Sequence, residues 1–376
     1  MTDSPESPTA SGSHSQSTGA AQQRPAPTPH FNLELIPASA SANQSIKSDE
    51  DSGVGIQPVN ATASITTSIL EYRTIQGRTY HSSRYNTDYF TPNDEQQSES
   101  VDITHHYLTL LLGGKLFVAP IGDDVEAVLD IGTGTGKSPT PTSVRLTNMC
   151  DFADEFPNAE VTGTDLSPIQ PAWVPPNVKF ELDDATDEWT WPQNTFDFVH
   201  LRYLFGAITD WTALFREAHR CTRPGGWIQS CEIDPCFESD DGTIEGNSAI
   251  ETWNALFLEG GKKLGNSFSV VKENLQFEAM HEAGFVDIRQ VDHKVPVGPW
   301  TKDPQIREVG QYLKLTMEND LQGYTLMLWH KLEWPADDYQ IFLMNMRKAL
   351  RNRHIHGYMF LRYVYGRKPD SDVQMT

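Results

Sequence analysis

The chain of 376 residues is poor in cysteine, in positive charge and in long apolar runs. Its four cysteines form no Cys-x-x-Cys pair, and no histidine stands near them at the spacing of a zinc ligand. We therefore predict reduced thiols and no metal site. No run of about 18 apolar residues is present, and the start lacks the apolar stretch of a secretory signal. We expect a protein of the cytoplasm, the nucleus or both, with no membrane span.

Lysine and arginine are outnumbered by acidic residues, 29 against 51, which gives a formal net charge of −22. Such a chain repels nucleic-acid phosphates and is not attracted to anionic membranes. This balance excludes direct nucleic-acid binding. It leaves small molecules and other proteins as the expected partners.

Aromatic residues are nearly absent from the first sixty positions, where Phe31 is the only one. Such a segment buries too little apolar surface to offset its ordering entropy. We predict a disordered tail over residues 1–60, one folded domain over 65–368 and a short tail at 369–376. The predicted parts of the domain are an N-terminal helical cap at 65–122, a core at 125–298, a helical insert at 299–352 and a last strand at 353–368.

Short apolar segments that end in turn residues recur through the predicted core, and helical patterns separate some of them. This alternation favours an α/β fold in which helices cover a parallel sheet. Ligands of such sheets bind at the carboxyl ends of the strands. The predicted strands are 128–131, 160–164, 178–182, 196–201 and 227–233.

The first predicted strand leads into glycines at three alternate positions, Gly132, Gly134 and Gly136. Glycine tolerates positive φ and lets the backbone approach a ligand closely. A nucleotide P-loop needs one more residue between its first glycine and the Gly-Lys pair, and Pro139 and Pro141 disfavour the helix that should follow. The dinucleotide fingerprint G-x-G-x-x-G also differs, because the third glycine here comes one position early.

Acidic residues at the ends of three predicted strands favour a third ligand, S-adenosylmethionine. Asp130 precedes the glycine turn, whose amides are expected to approach the methionyl end of the ligand; it orients the turn or faces the amino group through water. Asp165 is placed to accept both ribose hydroxyls, and Asp184 to accept from the adenine amino group beside the amide of Ala185. The predicted cofactor residues are Asp130, Gly132, Thr133, Gly134, Gly136, Asp165, Leu166, Asp184 and Ala185.

With these residues the sequence resembles the LaeA-like fungal methyltransferases, a branch of the class I S-adenosylmethionine-dependent enzymes associated with secondary metabolism. The most specific stretch is Ser167-Pro168-Ile169-Gln170-Pro171. The resemblance implies a Rossmann-like sheet of seven strands, one of them antiparallel, with N-terminal helices and a helical insert before the last strand. The other matching stretches are 89–95, 115–122, 128–136, 163–166, 175–177, 196–202 and 224–227.

One departure from the family follows the glycine turn, where residues 137–150 separate Gly136 from Asp151-Phe152. Family members usually continue the glycine turn directly into a helix, with about four residues before the Asp-Phe-Ala-Asp stretch. Two interpretations remain open, a true loop insertion and the read-through of a splice donor. A true insertion displaces the helix whose N-terminus would otherwise face the cofactor.

The residues after the fourth predicted strand are expected to face the transferred methyl group. His200 is a candidate base or a hydrogen-bonded strand histidine. Arg202 is a candidate partner for an acidic acceptor, or it pairs with an acid such as Glu232 or Asp234. Tyr203 and Trp300 are candidate pocket walls. The predicted catalytic residues are His200, Arg202 and Tyr203.

Two functions from different classes follow from this sequence. The first is a methyltransferase that uses S-adenosylmethionine to methylate a small metabolite or a protein side chain. The second is a regulatory subunit that keeps the fold and acts through protein partners. The acidic chain and the predicted tail are compatible with the second, and the helical insert that would shape the acceptor pocket carries no recognisable motif.

Overall fold

A computed structural model describes residues 71–82, 89–134, 148–170 and 174–370. The predicted tail at 1–60 lies outside these ranges, as do Gly136 and residues 137–147 of the insertion. The strands are β1 (Tyr72–Ile75), β2 (Arg78–Ser82), β3 (Ala127–Ile131), β4 (Glu160–Asp165), β5 (Val178–Leu182), β6 (Phe196–Arg202), β7 (Thr222–Glu238), β8 (Val286–Pro296) and β9 (Tyr358–Arg367). The helices are α1 (Glu95–Leu111), α2 (Asn148–Glu155), α3 (Trp211–Cys221), α4 (Ser248–Leu264), α5 (Leu275–Glu282), α6 (Pro304–Asn319), α7 (Leu321–Lys331) and α8 (Ala336–Arg351).

Seven strands form one sheet in the order β5-β4-β3-β6-β7-β9-β8. The strands from β5 to β7 are parallel, and β9 runs antiparallel to both of its neighbours. This confirms the seven-stranded α/β sheet with one antiparallel strand. Because β3, β4, β5 and β6 are parallel, their carboxyl ends meet at one edge, where the predicted glycine turn and acids follow them.

The fifth predicted strand is longer than expected, because β7 takes in residues 223–226, which the sequence predicts as a turn. These residues are held by the end of β9. The amide of Gly225 donates to the carbonyl of Lys368 and the amide of Lys368 donates to the carbonyl of Gly226, each at 2.9 Å. The partner lies more than 140 residues away, so the local Pro-Gly-Gly pattern gave no sign of it.

The predicted N-terminal helical cap is wrong in its first part, because β1 and β2 form an antiparallel hairpin. The turn between them is Gln76-Gly77, with φ of 46° and 85°. Positive φ at both central residues is the geometry that joins two strands with the right twist. The helix α1 then starts at the N-cap Asp94, whose carboxylate accepts from the amide of Gln97.

The predicted helical insert before the last strand is confirmed as α6, α7 and α8. Helix α6 lies against α1, and polar side chains link the two at both ends. Gln305 donates to the carbonyl of Leu110 at 2.8 Å, and Gln96 donates to the carbonyl of Asn319 at 2.6 Å. The insert is therefore attached to the N-terminal segment as well as to the sheet.

A buried arginine on β2 joins the hairpin to both of these helical parts. The Arg78 guanidinium donates to both Asp94 oxygens, at 2.5 and 2.7 Å, and to both Asp320 oxygens, at 2.6 and 2.7 Å. Asp94 caps α1, and the fully buried Asp320 caps α7 by accepting from the amide of Gly323. One side chain thus fixes the starts of two helices that lie more than 220 residues apart in the chain.

Replacement of this arginine is expected to destabilise the fold strongly. In Arg78→Ala two carboxylates lose their cation, and one of them has no access to water, so the free energy of unfolding should fall by about 3–5 kcal/mol. Urea denaturation measures the change. The matched control is Arg216→Ala, whose ion pair with Glu282 is exposed on both sides and should contribute at most about 1 kcal/mol. Equal, small losses in the two variants would contradict this assignment.

Candidate active site

A cavity lies at the carboxyl ends of β3, β4, β5 and β6, and most of the predicted site residues line it. The residues brought together there are Gly132, Thr133, Gly134, Asp165, Leu166, Asp184, Ala185, Arg202 and Tyr203. Asp130, His200 and Trp300 are not among the lining residues, and Gly136 lies outside the described ranges. The Trp300 indole instead donates to the carbonyl of Gly357 at 3.0 Å, so its prediction as a pocket wall is wrong.

The glycine turn approaches the cavity with its backbone, but its amides point into the protein. Gly132 and Gly134 both have φ of 71°, which explains why glycine is required at these positions. The amides of Gly132 and Thr133 donate to the carbonyl of Thr164 at 3.0 and 2.9 Å. The amide of Gly134 donates to Asp165 at 2.8 Å. These three amides are therefore occupied within the protein and form no phosphate cradle, whereas Gly136 of the same turn lies outside the described residues.

Asp130 lies behind the turn and holds it in place. Its carboxylate accepts from the Thr133 hydroxyl at 2.9 Å and pairs with Nδ1 of His200 at 2.7 Å. Burial opposes its ionisation, but the contacts with His200 and Thr133 keep the pKa of Asp130 below its usual value. The sequence predicted that Asp130 either orients the turn or faces the amino group of the ligand through water, and these contacts support the first role. His200 is therefore a buried, hydrogen-bonded strand histidine, which was the alternative to its role as a catalytic base.

Within the described ranges, Asp165 at this edge has no ion-pair partner. It accepts from the amides of Gly134, Leu166 and Ser167, and burial raises its pKa to about 6. A carboxylate has about four lone-pair positions, so acceptor capacity remains on the cavity side. The remaining acceptor position of Asp165, next to the backbone of Gly134, fits a ligand that presents hydroxyl groups, as the ribose of S-adenosylmethionine does.

The segment after β5 forms the next part of the wall. One Asp184 oxygen accepts from the amide and the hydroxyl of Thr186, at 3.0 and 2.7 Å, which folds the turn locally. The carbonyl of Ala185 accepts from the Trp189 indole at 3.1 Å, so Ala185 is held against the cavity. Asp183 also lines the cavity, and burial raises its pKa.

The segment after β6 is strained and is supported by a buried acid. Tyr203 has φ of 58°, a conformation that a bulky residue adopts only where its surroundings impose it. Its hydroxyl is hydrogen-bonded to the hydroxyl of Tyr107. Glu232 accepts from the amides of Leu204 and Phe205 at 3.1 and 2.9 Å, and burial raises its pKa to about 8.

Arg202 does not pair with either acid suggested by the sequence. Glu232 accepts from the two amides after Tyr203, and Asp234 accepts from the amides of Val271 and Lys272. The Arg202 guanidinium instead contacts Nδ1 of His105 on α1, at 3.0 Å.

Part of the cavity wall is aromatic, and the sequence analysis gave it no chemical role. The segment 89–95 of this wall matches the family, but no sequence motif in it identifies residues that line a cavity. Phe90 is almost fully buried, with its ring centroid 4.9 Å from that of Phe268. Tyr324 of α7 shows that the insert reaches the cavity. The aromatic wall consists of Tyr89, Phe90, Phe205 and Tyr324.

The sheet order, the glycine turn and the acids at the strand ends define a class I methyltransferase. The sequence model of the methyltransferase-domain family matches residues 103–290, which is half of the chain. In the described part of the chain, no helix is long and apolar enough to cross a membrane. The same residues contain no group of three or more histidine, cysteine or acidic side chains that could hold a metal ion.

Three relatives indicate more narrowly the family to which the chain belongs. Methyltransferase pytC of Aspergillus terreus is 32% identical over 81% of this chain and 91% of its own length. The secondary metabolism regulator LAE1 of Cochliobolus heterostrophus is 29% identical, over 78% and 94%. The protein-methionine methyltransferase laeA of Emericella nidulans is 29% identical, over 78% and 75%. The chain belongs to the LaeA-like fungal class I methyltransferases, and its methyl donor is S-adenosylmethionine.

Donor binding is expected to depend on pH through Asp165. Because its pKa is about 6, a proton occupies one acceptor oxygen at lower pH, and the affinity at pH 5 should be about tenfold weaker than at pH 7. Asp165→Asn should bind the donor about tenfold more weakly at pH 7, with a reduced dependence on pH. Calorimetric titration with S-adenosylmethionine measures both effects.

The matched control is Asp210→Asn, which lies outside the cavity lining and keeps an oxygen to accept the amide of Ala213. Its donor affinity at pH 7 should stay within about twofold of the wild type. An Asp165→Asn protein with wild-type affinity, or equal losses in both variants, would count against the role of Asp165.

Proposed function

We propose that the donor lies across the ends of β5, β4 and β3. In this arrangement Asp184 and Ala185 contact the adenine, Asp165 and Leu166 the ribose, and the turn from Gly132 to Gly134 lies along the methionyl group. The observation that supports it is that all of these residues line one cavity. Asp165 supports it further, since it is an acceptor at this edge that has no ion-pair partner among the residues the structure describes.

We propose further that the acceptor is a small molecule with an apolar, largely planar body. The aromatic wall lines the same cavity as the strand ends, and such rings favour planar apolar ligands in offset or edge contact. S-adenosylmethionine supplies an electrophilic methyl group on a sulfonium. The chain supplies orientation, because the strained segment at Tyr203 and the aromatic wall hold the acceptor in line and exclude water.

The names of two relatives support other candidates. LaeA of Emericella nidulans is named a protein-methionine methyltransferase, which makes a thioether side chain of a protein the second acceptor to test. LAE1 is named a secondary metabolism regulator, which supports a role in secondary metabolism and action through protein partners in the nucleus or the cytoplasm. A thioether carries no proton to remove, so that acceptor needs no general base.

Incubation with methyl-labelled S-adenosylmethionine separates these candidates. The purified protein is mixed with a small-molecule extract or with the dialysed protein fraction of the same fungal culture. We expect label in the small-molecule fraction and its loss in Asp165→Asn, because that variant binds the donor weakly. Label in proteins alone would favour the side-chain acceptor, and donor binding without label in either fraction would favour the regulator.

A change in the aromatic wall tests the acceptor assignment separately. Phe205→Leu shortens one wall residue, whose ring lies 5.5 Å from that of Tyr203. We expect the acceptor KM to rise about tenfold, while the donor Kd stays near the wild-type value. The control is Phe342→Leu in α8, a buried phenylalanine outside the cavity. If both variants leave the acceptor KM unchanged, the aromatic wall is not the acceptor surface.

A further inference from the structure

The described lining of the cavity offers a carboxylate several neutral polar groups, such as Asn93 and Gln97, but little positive charge. The amides of Gly132, Thr133 and Gly134 all donate inside the protein, so this part of the turn has no free donor for an anion. Among the described residues that line the cavity, Arg202 is the only lysine or arginine. A ligand with a carboxylate therefore meets a single cation.

Arg202 lies beside the position proposed for the methionyl group. Strands β3 and β6 pair in parallel with Ile131 opposite Leu201, so Arg202, the last residue of β6, lies next to Gly132. A Cβ atom added at Gly132 would lie 4.0 Å from the carbonyl oxygen of Arg202. The cation is thus one strand beyond the glycine turn, at the same edge of the sheet.

The order of the strands matches the order of groups along the donor. Strands β5, β4, β3 and β6 are consecutive neighbours, and three steps between strands span about 14 Å. The proposed adenine, ribose and methionyl contacts follow β5, β4 and β3 in turn. The carboxylate at the end of the methionyl group then comes to β6, where Arg202 stands.

The guanidinium of Arg202 is hydrogen-bonded to a neutral histidine, so this partner does not cancel its positive charge. Nδ1 of His105 accepts from Arg202 at 3.0 Å, so its Nε2 carries the hydrogen and donates to Asp151 at 3.2 Å. Burial and the nearby arginine lower the pKa of His105 to about 4. Asp130 is also near, but its oxygens are engaged by His200 and Thr133. Within the described ranges, no carboxylate lies at ion-pair distance from Arg202.

We propose that Arg202, positioned by His105, binds the α-carboxylate of the methionyl group of the donor. The inference rests on the proposed placement of the donor across the strand ends. It assigns Arg202 to the donor, whereas the sequence also allowed an acidic acceptor. His105 is a positioning residue, since it acts on the ligand through Arg202.

Three ligands that differ at this end of the donor test the proposal by calorimetric titration. They are S-adenosylmethionine, its decarboxylated analogue and 5′-methylthioadenosine, which lacks the whole amino-acid end. The wild type should bind S-adenosylmethionine about tenfold or more tightly than the decarboxylated analogue, because only the former offers Arg202 a carboxylate. Equal affinities for these two ligands would overturn the proposal without any variant.

Variants then test which residues cause the difference in affinity between S-adenosylmethionine and its decarboxylated analogue. Arg202→Gln should bind S-adenosylmethionine about tenfold more weakly and the analogue unchanged, so that the ratio of the two affinities falls toward one. His105→Leu should reduce the ratio partly, and His105→Asn, whose amide oxygen can replace Nδ1 as acceptor, should restore it. Unchanged affinity for 5′-methylthioadenosine shows that each variant keeps its folded site.

The failures of the two proposals are distinguishable. If none of the three ligands binds the wild type, the donor placement fails and this inference fails with it. If all three bind but Arg202→Gln weakens them equally, only this inference fails. A variant with an unchanged affinity ratio and a raised acceptor KM would assign Arg202 to the acceptor and overturn the proposal.

Discussion

The cavity depends on an ion cluster that lies away from it. Arg78 fastens the hairpin to Asp94 at the start of α1 and to Asp320 at the start of α7. Tyr324 of the aromatic wall lies on α7, and Val101 and Thr104 of α1 also line the cavity. Without the cluster, the wall would consist of segments from distant parts of the chain with no charge-assisted contact between them. The buried charges therefore specify how the wall is assembled as well as how stable it is.

The electrostatics of the strand edge suit a cationic ligand. Asp165, Asp183 and Asp184 line the cavity, and Arg202 is the only opposing cation in its described lining. Asp165 stays a carboxylate at neutral pH because three amides partly replace the water that burial removes. A sulfonium with an amino group meets complementary charge there, whereas a nucleotide phosphate would meet repulsion and inward-facing amides. The site thus excludes phosphate by the direction of its donors as well as by motif spacing.

Local sequence patterns predicted the residues at the carboxyl ends of the strands but not the aromatic wall of the cavity. The apolar runs before Asp130 and Asp165 and the glycines between them are short-range signals, so the strands, the turn and the acids were found. The hairpin was missed because its Arg-rich and Tyr-rich strands are held by Arg78 contacts far along the chain. The roles of His200 and Trp300 likewise depend on partners that only the tertiary structure supplies.

The last strand also sets the order in which the sheet can be completed. Strand β9 lies between β7 and β8, and the buried Lys368 just after it donates to Asn194 and to the carbonyls of His219 and Thr222. On the ribosome, β3 to β7 can pair while the insert is still being made, but β8 has no neighbour until β9 emerges. Until then the growing chain exposes an open sheet edge at β7, which is a hazard for aggregation. The final residues of the domain therefore decide whether the newly made sheet closes at all.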